Sequence, residues 1–262
     1  MKYLKISAVF VAAVLMTQCQ NEGIEEPQTI NASIPDDIMK GLHNMGFDTN
    51  NFPVFQKEDG YLVEGDIKVS TETILAASND KTTTKQTRVN TILKCSEARD
   101  ITVRNFDIPE IDTQLRNAIN DWNNVNGSFL KFRLVNGNED ITIRFDRGNF
   151  GEGEFPASNG KPGSEANFDH TLYDEIEDRN KRNKIIRWVL RHELGHNIGF
   201  AHTNLDETGA QQISGTPNRD SNSAMNRQSL PVETFQSVNL SNGEKKALRK
   251  LYGGKPEDNI CS

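Results

Sequence analysis

Eleven residues constrain this chain more than any others: His192-Glu193-Leu194-Gly195-His196-Asn197-Ile198-Gly199-Phe200-Ala201-His202. His192 and His196 are four apart, so on a helix they leave the same face one turn apart. Two imidazoles so placed can share one metal ion. Ile186, Leu190, Leu194 and Ile198 form an opposing stripe. Residues two positions apart lie about 200° around a helix, so this stripe can enter a core while the histidines face a cleft. Gly199 can end the helix with a positive φ, and the chain then turns to bring His202 back.

Three histidine nitrogens suit Zn2+ and leave one coordination position open, which distinguishes a catalytic zinc site from a structural one. Glu193, beside His192, can serve a zinc-activated water as general base without being a ligand. The expected chemistry is peptide-bond hydrolysis. Three of the chain's five histidines fall in this motif. His43 and His170 have no such context and are expected to be surface or packing residues.

Downstream, Asp220-Ser221-Asn222-Ser223-Ala224-Met225-Asn226 is a Ser/Asn loop around a methionine. Together with H-E-x-x-H-x-x-G-x-x-H it resembles the metzincin metallopeptidases, which implies a Met-turn at Met225 beneath the zinc. His202-Thr203 and Gly215-Thr216-Pro217 before Ser223-Ala224-Met225-Asn226 resemble more closely the bacterial dual-action HEIGH metallopeptidases, with Leu194 in place of their isoleucine. The resemblance covers roughly residues 99–254. It implies a substrate edge strand at Gly153, Glu154 and Phe155, to which a peptide would add by β-augmentation. A surface loop with a buried Phe155 is the alternative. No tyrosine follows Met225 at the position where some metzincins carry a zinc-proximal one.

The N-terminus reads as a targeting segment. Lys2 and Lys5 precede an apolar run from Ile6 to Met16, too short to span a bilayer as a helix. It ends at Leu15-Met16-Thr17-Gln18-Cys19, which resembles a bacterial lipoprotein cleavage site with Cys19 as the lipidated residue. The expectation is an exported lipoprotein, periplasmic or cell-surface/extracellular, that meets the membrane only through a lipid on Cys19. Cys95 and Cys261 then remain, and an oxidising compartment favours their disulfide. A free Cys95 that caps the zinc is the competing reading.

The expected domains are a signal peptide (1–18), a tether (19–34), an N-terminal pro-segment or accessory region (35–88) and a metzincin-like metallopeptidase domain (89–262). In the N-terminal region, residues 35–47 read as a short helix and residues 60–69 as one strand. Asp66 is the candidate latency switch, covering the zinc until cleavage near Lys81–Arg88. The bland alternative is a subdomain that only packs beside the catalytic one.

In the catalytic part, alternation predicts strands at 101–106, 129–135, 141–145, 151–156 and 165–169, with Asn136-Gly137-Asn138 as a turn between the second and third. Helical spacing predicts helices over 109–125 and 180–199, and Ser241-Asn242-Gly243-Glu244 is a capping box for a last helix. These elements make the fold class α+β, and the resemblance implies a metzincin-like zincin domain with a twisted mixed sheet of about five strands, an active-site helix, a second helix and a C-terminal helix, plus a small N-terminal region.

The net charge of -7 argues against a nucleic-acid partner. The expected partner is a peptide or protein substrate, and the chain is expected to be a monomer. The reading is a secreted or surface-anchored zinc metalloendopeptidase. A catalytically weak binding lipoprotein on a zincin fold is the alternative, although Glu193, which such a protein would be expected to lack, is present.

Overall fold

The computed structural model describes residues 34–79, 92–204, 213–217, 219–227 and 239–254. Cys19, Cys261, the apolar N-terminal run and Lys81–Arg88 lie outside them. No helix among the described residues is long and apolar enough to cross a membrane.

The sheet has eight strands: β1 (Phe55–Gln56), β2 (Gly60–Val63), β3 (Ile67–Ser70), β4 (Ile101–Asn105), β5 (Phe132–Leu134), β6 (Ile141–Phe145), β7 (Glu152–Glu154) and β8 (Glu165–Phe168). Their spatial order is β1-β2-β3-β7-β8-β6-β4-β5. The expected five strands are the last five of this order. Within them β5, β4, β6 and β8 run parallel, and β7 is antiparallel to β8. The N-terminal region contributes the other three.

The strands on either side of Asn136-Gly137-Asn138 do not pair with each other: β5 and β6 flank β4 on opposite sides, each parallel to it. One sequence expectation is corrected here. The segment 60–69 is a hairpin and not one strand, because the chain reverses at Glu64 and Gly65, with φ of 53° and 93°. The Gly in that turn adopts the left-handed region without a Cβ clash.

Helices cover the sheet: α1 (Asp36–Met45), α2 (Thr71–Asn79), α3 (Cys95–Ala98), α4 (Asp112–Asn123), α5 (Arg179–Asn197) and α6 (Asn242–Tyr252). The apolar positions of α4 (Leu115, Ala118, Ile119, Trp122) meet the predicted stripe of α5 (Ile186, Leu190, Leu194, Ile198) in one buried core with Ile101, Val103, Ile141 and Ile143. Trp122 Nε1 also donates to the Arg191 carbonyl at 3.1 Å. A second core gathers α1, α2, β2 and β3 around Phe155 and Ala201. There Phe155 is buried and stands edge-on to Phe47 at 5.6 Å. The N-terminal region therefore has its own core, but that core is closed by residues of the catalytic part.

Candidate active site

Helix α5 begins at Asp178, whose side chain accepts from the backbone N–H groups of Asn180 and Lys181. It ends at Gly199, which has φ of 94°. At that end Asn197 Nδ2 donates to the carbonyls of Glu154 (2.9 Å) and Glu165 (2.8 Å). The helix terminus is thus tied to β7 and β8, and the turn after it returns His202 toward His192 and His196.

The three imidazoles converge. Nε2 of His192 and Nε2 of His196 are 2.9 Å apart. The outer nitrogens are held: His192 Nδ1 donates to the Ala224 carbonyl (2.6 Å) and His196 Nδ1 to the Phe200 carbonyl (2.7 Å). This leaves each Nε2 as the electron-pair donor, the usual division of labour in a metal-binding histidine. His202 differs. Its Nδ1 faces the Glu64 carboxylate at 2.9 Å, and its Nε2 faces Asp66 Oδ2 at 3.1 Å. Asp66 Oδ2 also lies 3.5 Å from His192 Nε2.

Asp66, His192, His196 and His202 offer one donor atom each within 4.8 Å of one another. Three imidazole nitrogens and a carboxylate oxygen are an ordinary donor set for zinc. The charge balance agrees. Burial pushes the His202 imidazole down, but Asp66 and Glu64 overcome it and raise it to about 9. Burial likewise pushes the Asp66 carboxyl up, yet the histidines hold it well below the usual carboxylate range. The cluster thus favours a positive charge at this point, which a bound cation would supply in place of a proton.

Glu193 is buried, and its Oε2 has no hydrogen-bond partner. Burial, with Asp66 and Glu152 nearby, raises its carboxyl well above the ordinary value. It lines a cleft of about 450 Å³ with Asp66, Phe150, Tyr173, Trp188, Val189, His192 and Arg227. Beneath the histidines lies Met225, fully buried. A Cβ on Gly195 would come within 2.3 Å of its Sδ, so this glycine lets the methionine pack against the helix. The Met225 N–H donates to Ser223 Oγ (3.0 Å) and to Glu244 Oε1 (3.2 Å), the capping-box glutamate of α6.

The other expected residues fall as follows. Gly153, Glu154 and Phe155 stand at the margin of the five-strand sheet, but β3 covers that margin. Gly153 N–H donates to the Asp66 carbonyl (2.9 Å) and Phe155 N–H to the Lys68 carbonyl (2.7 Å), so β3 and β7 run parallel. Asp66 reaches the histidines. Cys95 is a free thiol, partly buried; its expected partner Cys261 lies outside the described residues. His43 is exposed and His170 packs edge-on to Phe145, outside the cluster. Glu64, Asn197 and Arg227 were not singled out by the sequence. Only the neighbourhood of Glu64 to Asp66 hinted at one of them.

The fold and the site define a zinc-dependent peptidase of the zincin type. Residues 100–253 match the peptidase family described as Matrixin, and the chain belongs to that family. Its cofactor is zinc, and it is a zinc metalloendopeptidase. Among solved structures the chain is similar to "Structure of Myroilysin", at 15% identity and a TM-score of 0.44, over 64% of this chain and 85% of that one. It is also similar to high choriolytic enzyme 1, a hatching enzyme zinc-protease from Oryzias latipes (Medaka fish), at 13% identity and a TM-score of 0.32, over 52% and 72%. No curated protein matches by sequence.

Proposed function

We propose that this matrixin-family enzyme is an exported endopeptidase in which His192, His196 and His202 hold the zinc and Glu193 is the general base. The convergence of the three imidazoles beside a buried, unpartnered Glu193 oxygen carries this reading. Zinc supplies Lewis-acid polarisation of the scissile carbonyl and brings a water within reach of deprotonation at neutral pH. Glu193 takes that proton and passes it to the leaving amine. Phe150, Trp188 and Val189 offer an apolar wall to a substrate side chain. The test is Glu193→Gln in activated protein. Peptide cleavage should fall by about 10²-fold or more, as for loss of a general base, while the zinc content stays equimolar. Cleavage near the unchanged rate would remove Glu193 from this role.

The N-terminal region reads best as a latency segment. Asp66 takes the place beside the histidines that water needs, and β3 fills the edge to which a peptide would add. Activation would follow cleavage in the Lys81–Arg88 stretch. Trypsin treatment of the full chain should raise activity toward a peptide library, in a chelator-sensitive manner. A clipped chain of unchanged activity would make residues 34–79 an accessory part of the fold instead. Export, a lipid on Cys19, a monomeric state and kinship to the HEIGH group complete the proposal. They rest on the N-terminal pattern and on the residues quoted above.

A further inference from the structure

The three candidate zinc ligands are not supported alike. His192 and His196 are each oriented by a backbone carbonyl of the catalytic part. His202 is oriented by a carboxylate, and that carboxylate comes from the N-terminal hairpin, 138 residues away. Glu64 and the His202 side chain are almost fully buried at this contact. A carboxylate is not left in such a place without partners, because burying it unpaired is costly. Both of its oxygens are engaged: Oε2 with His202 Nδ1, and Oε1 with the Asp48 N–H at 2.9 Å.

The backbone bends to deliver this side chain. Glu64 is one of two non-glycine residues with positive φ among those described, a conformation uncommon for side chains of its kind. Its carbonyl accepts from Arg227 Nε at 2.6 Å, and the Arg227 guanidinium stacks 4.6 Å over the Phe52 ring. The tip of the hairpin is therefore pinned to the segment that follows Met225. It presents two carboxylates to one imidazole, Asp66 at Nε2 and Glu64 at Nδ1.

We infer that Glu64 is a positioning residue for zinc in the uncleaved chain: it fixes the ring and the tautomer of His202, so the N-terminal region steadies the metal in the latent form as well as covering it. This rests on the reading of His202 as a ligand. A carboxylate behind a metal-bound histidine holds the ring in place and makes it a better donor. The region thus acts on the zinc site twice, and the two actions are separable. Asp66 decides whether the open position is filled. Glu64 decides how tightly the third histidine holds the metal.

The experiment uses the full chain. Zinc affinity is measured by competition with a chromophoric chelator for the unchanged chain, Glu64→Gln and Glu64→Ala, with circular dichroism as the check on folding. Affinity should fall about 10- to 100-fold in Glu64→Ala and less in Glu64→Gln, as for loss of an outer carboxylate. The visible spectrum of the cobalt-substituted protein should shift in both, which a merely structural contact would not produce. Affinity within twofold of the unchanged chain, with an unaltered cobalt spectrum, overturns the inference. If Glu64→Ala does not fold, the near-isosteric Glu64→Gln decides alone. If the unchanged chain binds no zinc, the ligand reading falls as well, so the two failures are told apart.

Discussion

Gly195 lies between two histidines of the zinc motif, where any other side chain would point at Met225. A Cβ there would stand 2.3 Å from Met225 Sδ, 2.9 Å from its Cε and 3.2 Å from Trp122 Cζ2. Helix propensity favours alanine over glycine, by about 1 kcal/mol. Packing opposes it here, because the neighbours it would displace are buried. Overpacking of this kind costs about 1–3 kcal/mol, so Gly195→Ala should be destabilising on balance. Denaturant unfolding should show a lower midpoint, and zinc should be lost at a lower chelator concentration, since His192 and His196 flank the displaced residue. A stability gain would mean that Met225 has room to move.

At the scale of elements, Asp169 shows how an isolated acid builds a wall of the cleft. It follows β8 and opens a 3-10 turn, His170–Tyr173, accepting from the N–H groups of Gly148 and Thr171, each at 2.9 Å. Burial pushes its carboxyl up, but these donors win and hold it below the ordinary value. A depressed folded-state value stabilises the fold above the unfolded value, near pH 3.9, and that contribution is lost as pH falls through the folded value. Asp169→Asn should therefore lower stability at pH 7 by about 1.5–3 kcal/mol, the range for hydrogen bonds to a charged group. The gap to the unchanged chain should close below about pH 4. Thermal unfolding across pH 3–7 checks this, and a pH-independent gap would contradict it.

The elements were legible where their signals are local. The stripe of α5, the capping box of α6 and the alternation of β6 all depend on residues within a turn or two of one another. Their ends fell within a few residues of the expectation. Pairing was less legible. Nothing in Asn136-Gly137-Asn138 reveals that β5 and β6 sit on opposite sides of β4, because register is decided by a neighbour thirty or more residues away. The reversal at Glu64 was hidden for another reason. Glutamate is not a turn former, and its left-handed φ persists because Asp48, His202 and Arg227 hold it there. The same non-locality hid Glu64 as a partner of His202, whereas the three clustered histidines could be read from an eleven-residue window.

On the scale of the whole molecule, the N-terminal region and the catalytic part share a sheet, a buried cluster around Phe155 and the four-donor group. A boundary near residue 88 therefore divides the sequence more cleanly than it divides the packing. The parallel seam between β3 and β7 also sets an order of events. Ile67 pairs with Gly153, a closure that must wait until the intervening chain exists and has begun to fold. Synthesis runs from the N-terminus, so the hairpin is the first of these parts to be made and the last to find its seat. In refolding followed by pulsed hydrogen exchange, the amides of Gly153 and Phe155 should gain protection after those of β6 and β8. The newborn chain thus passes through an interval in which its histidines are assembled and Asp66 has yet to reach them.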